Sequence, residues 1–180
     1  GATDKITNNV VLNGNPAVVG GTSDIEFGGT VTNNGGDRTV FNQLNGATLT
    51  LSGAMNLSND ATNRTLTFAG PGNTLISGII ANGGTATARA LLMRGTGTLT
   101  LTGVNTYDGP TSITNGVLRL SDAGVLDQNS EVTVTGIGTL RLDNSGTDLG
   151  NRISDTKDLN LDGGLLDFIS DGTDSSETFF

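Results

Sequence analysis

Apolar and polar residues alternate with period two in six short segments of the chain. The segments cover residues 48–51, 65–68, 98–101, 117–120, 139–142 and 158–161. Such alternation places successive side chains on opposite faces of a β-strand. We therefore predict strands whose leucines face a core and whose threonines or arginines face solvent.

These segments recur at similar intervals along the chain. Their first leucines are Leu49, Leu66, Leu99, Leu118, Leu140 and Leu159. The longest interval, from Leu66 to Leu99, contains a weaker unit at 74–76. The other intervals are close to about 20 residues, which is typical of a solenoid. We predict an all-β fold, a parallel β-helix with coils of about 20 residues. The alternative is an antiparallel β-sandwich.

The segments between the predicted strands favour turns. They are rich in glycine and include five Asn-Gly pairs. Asn and Gly both tolerate the positive φ that tight corners need. We therefore expect tight corners between the strands rather than crossover helices.

The composition narrows the chemistry that the chain can perform. Gly, Thr, Asn and Ser make up 87 of the 180 residues, and His, Cys and Trp are absent. Catalytic triads that use His as the base cannot be built, and a zinc site has no support. The net charge of −9 disfavours nucleic acid as a partner, because phosphate binding needs clustered Lys and Arg. No apolar run approaches the ~20 residues of a transmembrane helix.

Carboxylates crowd the second half of the chain. They are Asp143, Asp148, Asp155, Asp158, Asp162, Asp167, Asp171 and Asp174. Paired carboxylates cleave glycosidic bonds, so a polysaccharide-cleaving module, with Tyr107 as the one tyrosine, is an alternative function. We favour the interpretation that these aspartates are solvated residues that cap turns. We predict that the chain is not an enzyme, and we assign no catalytic, cofactor-binding or metal-binding residue.

Three surface patterns carry more specific expectations. Residues 143–148 offer closely spaced oxygen ligands for calcium but lack the spacing of an EF-hand loop, so an Asx turn is favoured. The Thr-x-Thr pairs at 48/50, 65/67 and 98/100 would form a flat outward row, as an ice-binding face requires, but arginines interrupt the later coils. Arg119 and Arg141 share one outward register, so their stacking predicts either a neighbouring acid, with Asp122 or Asp143 as candidates, or exposure wide enough for solvent screening.

Residues 95–120 contain a longer motif. It consists of a Gly-Thr-Gly-Thr-Leu-Thr-Leu-Thr-Gly strand, an Asn-x-Tyr-x-Gly corner, a Thr-rich strand and an Asn-Gly-Val-Leu-Arg-Leu return. This stretch resembles the autotransporter-associated β-strand repeat, also called the passenger-associated transport repeat. The upstream segment 75–80 is similar to the strand that precedes the repeat. The resemblance implies a right-handed β-helix in the passenger region of a secreted or surface-displayed bacterial protein.

Together these observations predict one solenoid segment over residues 1–180 that belongs to a longer repeat protein. Phe179 and Phe180 at its end suggest a chain that continues or stacks on a copy of itself. The predicted function is structural: a stalk, fibre or adhesin outside the cell. Expected partners are further copies or neighbouring repeats of the same chain, with surface glycans as another class. A carbohydrate-binding or polysaccharide-cleaving module remains the alternative.

Overall fold

The computed structural model describes residues 4–126, 131–172 and 175–177. Within these residues the regular structure is made of strands alone. In chain order the strands are β1 (Asp4–Ile6), β2 (Val10–Leu12), β3 (Ala17–Val19), β4 (Ile25–Phe27), β5 (Val31–Asn33), β6 (Arg38–Asn42), β7 (Thr48–Leu51), β8 (Met55–Ser58), β9 (Thr65–Ala69), β10 (Asn73–Ile76), β11 (Ile80–Gly83), β12 (Ala90–Met93), β13 (Thr98–Leu101), β14 (Thr111–Ile113), β15 (Val117–Leu120), β16 (Glu131–Thr135), β17 (Thr139–Asp143), β18 (Asp158–Asp162) and β19 (Leu165–Ile169). No helix in this part of the chain is long and apolar enough to cross a membrane.

The described strands form three parallel sheets, of which sheets 1 and 3 run along the solenoid and sheet 2 ends at β11. Sheet 1 has the order β1-β4-β7-β10-β13-β15-β17-β19, sheet 2 the order β2-β5-β8-β11, and sheet 3 the order β3-β6-β9-β12-β14-β16-β18. Each strand pairs with the strand one coil later, so backbone hydrogen bonds join consecutive coils. The parallel pairing confirms the predicted β-helix and rules out the antiparallel sandwich.

The coils are longer than the sequence intervals predicted. One turn takes about 24 residues on average. In sheet 1, Ile25 pairs with Leu49 of the next coil. Leu99 pairs with Leu118 across a shorter coil. The coil length therefore varies: the coil from β4 to β7 includes a strand of sheet 2, whereas the described coil from β13 to β15 includes only β14 of sheet 3.

The sequence intervals mislead because two of the six alternating segments lie in another sheet. Residues 65–68 belong to β9 and residues 158–161 to β18, both in sheet 3. The interval from Leu49 to Leu66 is therefore a partial turn, and the interval from Leu66 to Leu99 exceeds one turn. The weak unit at 74–76 lies in β10, between β7 and β13, as predicted.

Inward side chains of sheet 1 form two continuous columns. In paired register the columns are Ile25, Leu49, Thr74, Leu99, Leu118, Leu140 and Leu166, and Phe27, Leu51, Ile76, Leu101, Leu120, Leu142 and Phe168. From Leu49 to Leu142 the apolar members are buried. The one polar member there, Thr74, accepts a 3.0 Å hydrogen bond from Asn42 Nδ2. The predicted apolar column is confirmed, and neighbouring coils bury what one coil alone cannot.

A column of glycines lies at the corner that follows sheet 1. It contains Gly29, Gly53, Gly78 and Gly103, one in each of four successive coils. A Cβ atom on Gly53 would lie 2.1 Å from the carbonyl oxygen of Gly29, and one on Gly78 would lie 1.9 Å from that of Gly53. No side chain fits at such distances, so glycine sets how closely the coils approach at this corner.

Candidate functional site

The outer face of sheet 1 presents one side chain per coil in a continuous row, which we call the outer row. Its members, in paired register, are Lys5, Glu26, Thr50, Leu75, Thr100, Arg119, Arg141 and Asp167. They face outward because each alternates along its strand with a residue of the buried columns. Lys5 and Glu26 form an ion pair at 2.7 Å at one end of the row.

Arg119 and Arg141 stack in adjacent coils, as the sequence predicted. Arg119 donates through Nε and Nη2 to Asp143 Oδ2, at 2.8 and 2.7 Å. Arg141 donates through Nε to Asp167 Oδ2 at 2.7 Å. Of the two predicted acids, Asp143 is confirmed as a partner, whereas the side chain of Asp122 contacts Ser121 instead. Each acid lies one coil beyond its arginine, so each of the two stacked guanidinium groups is compensated by its own carboxylate.

Asp143 is held as a carboxylate by its surroundings. Burial raises the pKa of its carboxyl group. Hydrogen bonds from the hydroxyl and backbone N–H of Ser145, together with Arg119, outweigh burial and leave the pKa below its ordinary value. The Asp143 carboxylate is therefore already bound to Ser145 and Arg119, and it is poorly suited to donate a proton or to attack a substrate.

A polar groove follows the outer row over five successive strands, β7, β10, β13, β15 and β17. Its volume is about 530 Å³. The residues that line it are Thr48, Asn73, Thr74, Leu75, Thr98, Thr100, Arg119, Arg141 and Asp143. Hydroxyl and amide groups dominate one end, and the arginine pair lies at the other. The groove thus offers hydrogen-bond donors along an extended path.

The loop predicted as an Asx turn or a calcium site is organised around a buried guanidinium. Arg152 is fully buried. Its acceptors are Asn144 Oδ1 at 2.5 Å and the backbone oxygens of Asp122, Gly124, Asp143 and Thr147 at 3.2, 2.9, 2.9 and 2.7 Å. These bonds use all the N–H groups of the guanidinium. A cation of the protein itself therefore lies among the oxygens that calcium would need.

Carboxylates surround Arg152 without touching the guanidinium. Burial lowers the pKa of Arg152, and the charges of Glu177, Asp143, Asp122 and Asp148 oppose that shift. The carboxylate of Glu177 accepts 2.9 Å hydrogen bonds from the backbone N–H groups of Arg152 and Ile153. Burial raises the pKa of Glu177.

Within residues 4–126, 131–172 and 175–177, no three His, Cys, Asp or Glu side chains are grouped to hold a metal ion. Asp148, Asp158, Asp162 and Asp171 are exposed, and Asp155 and Asp167 are half-buried. Asp174 and Phe179–Phe180 lie outside the described residues. The acids closest to the groove, Asp143 and Asp167, are both bound to arginines.

The structure also changes two expectations about surface side chains. Tyr107 is fully buried, with its hydroxyl 2.6 Å from Thr111 Oγ1, so it cannot stack on a sugar. The Thr-x-Thr pair at 65/67 lies in sheet 3, and Thr67 is buried. In sheet 1, Leu75 separates Thr50 from Thr100. The three pairs therefore do not form the single flat row that ice binding requires.

The Asn-x-Tyr-x-Gly corner joins three successive coils. Asn105 Oδ1 accepts a hydrogen bond from Ile80 N at 3.1 Å, and Asn105 Nδ2 donates to Val125 O at the same distance. A Cβ atom on Gly109 would lie 2.3 Å from the carbonyl oxygen of Arg89. The motif therefore combines a buried amide that links coils with a glycine that permits close stacking.

This corner lies inside the part of the chain that a known family matches. The family model of the passenger-associated transport repeat matches residues 91–120, which extend from β12 to the end of β15. The match confirms the resemblance seen in residues 95–120. No curated protein and no solved structure matches the chain. A repeat of this kind, set in a β-helix, implies a secreted or surface-exposed passenger domain.

Proposed function

We propose that this chain is a structural segment of an extracellular passenger on a bacterial surface, serving as a stalk, fibre or adhesin. One observation carries the proposal: the paired strands of sheet 1 run through every coil from β1 to β19 without interruption. Such a stack supplies length and rigidity, because each coil is stabilised by its neighbours. The chain performs no catalytic step in this proposal, since the acids near the groove are bound to arginines.

Display of this chain on the surface of cells tests the proposed role as a stalk. Cells would carry the chain between a surface anchor and a terminal epitope, and control cells would carry an unstructured linker of equal length. We expect the epitope to survive added protease on the solenoid and to be lost from the linker, because strand pairing shields the backbone from cleavage. Equal rates of loss would contradict the proposal.

The two ends of the stack support self-association or pairing with neighbouring repeats. An apolar cavity of about 340 Å³ opens beside the first coils and is lined by interior residues that include Val10, Leu12 and Phe27. At the other end, Leu165 and Phe168 of β19 are 57% and 40% exposed. Unpaired strand edges favour addition of another strand. We propose that these ends meet end to end.

Light scattering at rising protein concentration tests this contact. We expect the mean mass to rise with concentration, and Phe168→Asp to keep the chain monomeric because it places a charge in the contact. Ile79→Asp is the matched control, since Ile79 is 49% exposed and lies between β10 and β11, away from the first and last strands. A chain that stays monomeric at every concentration would refute self-association.

The groove favours a second candidate, a carbohydrate-binding module on the same scaffold. Its walls carry hydroxyl, amide and guanidinium groups, which hydrogen-bond to polyhydroxylated ligands. The buried Tyr107 removes the aromatic platform that the sequence offered for sugar stacking. Recognition would then depend on hydrogen bonds and charge, which restricts the class of glycan.

A further inference from the structure

We propose that the groove on sheet 1 binds an extended polysaccharide that bears carboxylates, and that Arg119 and Arg141 hold those carboxylates. The inference deepens the second candidate function and rests on it for the general ligand class. It does not depend on the stalk role, because binding is measured on the purified chain.

The groove has the dimensions of a polymer site. Its lining comes from five adjacent strands of one parallel sheet. Strands lie about 4.7–4.9 Å apart, so the path along the solenoid axis is about 19 Å long. Thr48, Asn73 and Thr98 place a hydroxyl or an amide group on each of three successive strands, so polar groups recur at the strand spacing. A repeating chain satisfies such a surface better than a compact small molecule does.

The arginines contribute more donors than their ion pairs use. A guanidinium has five N–H groups. Within the part of the chain that the structure describes, Arg119 contacts Asp143 through Nε and Nη2 only, and Arg141 contacts Asp167 through Nε. Their side chains are 37% and 36% exposed, and both line the groove. The remaining N–H groups are available to acceptor oxygens from a ligand.

The unused N–H groups of the two arginines favour ligands that carry carboxylates. Planar carboxylates accept two parallel N–H bonds from a guanidinium, and such charge-assisted bonds are stronger than those of a neutral hydroxyl. Asp143 lines the groove, but its carboxylate is only 6% exposed and is compensated by Arg119. A neutral sugar chain would offer the arginines only hydroxyl oxygens, which accept weaker hydrogen bonds than carboxylates do. A uronate chain supplies both hydroxyls for the threonines and carboxylates for the arginines.

The net charge of the whole chain determines over what distance it could attract a polyanionic ligand. The net charge is −9, so a polyanion is not drawn to this protein from a distance. Charges more than about 8 Å away are largely screened at physiological salt. Binding therefore depends on direct contact at the arginine pair, and nucleic acid, which needs a broad basic surface, fits poorly.

Affinity electrophoresis tests the proposal with polygalacturonate in the gel. We expect polygalacturonate to retard the purified chain, and a carboxyl-reduced polymer of the same backbone to leave its mobility unchanged. The double variant Arg119→Gln/Arg141→Gln should bind at least about tenfold more weakly, because it loses the charge-assisted bonds. Arg94→Gln makes the same type of change at an exposed arginine outside the groove and should bind like the parent chain.

A second variant keeps the test decisive if the double variant misfolds. Thr100→Leu places a larger apolar side chain in the middle of the groove and leaves both ion pairs in place, so it should also weaken retardation. Circular dichroism verifies that each variant folds. The proposal is overturned if polygalacturonate does not retard the parent chain, if the reduced polymer binds equally well, or if Arg94→Gln weakens binding as much as the double variant. Protease survival in the display experiment would be unaffected by any of these results.

Discussion

Replacing Arg152 by methionine should lower the free energy of unfolding by about 4–6 kcal/mol. The guanidinium donates five hydrogen bonds. Four of them go to backbone carbonyls, two in the segment after β15 and two in the segment 143–147. Methionine fills a similar volume but donates none. A buried acceptor left without a partner costs about 1–3 kcal/mol, and hydration of the outermost carbonyls limits the total.

Urea unfolding followed by circular dichroism measures this loss. Arg94→Met is the matched control, because Arg94 is exposed, and it should change stability by less than about 0.5 kcal/mol. Arg152→Lys should recover less than half of the loss, since an ammonium group cannot reach acceptors on several sides at once. If Arg152→Met unfolds at the same urea concentration as the parent chain, the guanidinium does not organise this loop.

The second large effect is expected at the glycine corner, where Gly78→Ala should destabilise the chain by about 3 kcal/mol. The added Cβ would lie 1.9 Å from the carbonyl oxygen of Gly53. The colliding atom belongs to the backbone of a paired coil and cannot rotate away as a side chain would. The two coils must therefore separate locally, which strains the adjacent strands of sheets 1 and 2.

Gly14→Ala provides the matched control for this substitution. No atom lies within 4 Å of a Cβ at Gly14, and its backbone does not require glycine. That variant should be neutral or slightly stabilising, because alanine restricts the unfolded chain. Thermal unfolding and hydrogen exchange of the amides in β7 and β10 report the difference. Equal stability of the two variants would show that the corner can absorb a methyl group.

Local patterns in the sequence predicted the strands well. Alternation with period two assigned the buried faces of β7, β13, β15 and β17, because the direction of a side chain in a strand depends only on its neighbours. The five Asn-Gly pairs predicted corners, and four of the glycines have positive φ: Gly35, Gly46, Gly83 and Gly116. The coil length was less accurate, because the sequence does not show which strands share a sheet.

The candidate site was only partly visible in the sequence. Stacking of Arg119 and Arg141 followed from their equal position within recurring segments, and charge repulsion then required an acid such as Asp143. The pairing of Arg141 with Asp167 was not predicted, because it depends on the length of the corner before β19. Burial of Tyr107 was missed because an aromatic residue in a Gly-rich corner has no periodic neighbours that indicate its face.

The sequence by itself determined that this protein is an all-β repeat whose strands have an apolar inner face and a largely polar outer face. The tertiary structure alone decided that the buried Arg152 guanidinium organises the loops around it, and that the threonines and arginines line one groove. The physical reason is the range of the interactions. Alternation and turn chemistry act over a few residues, whereas partners about 24 residues apart meet only after the corners have fixed the register between coils.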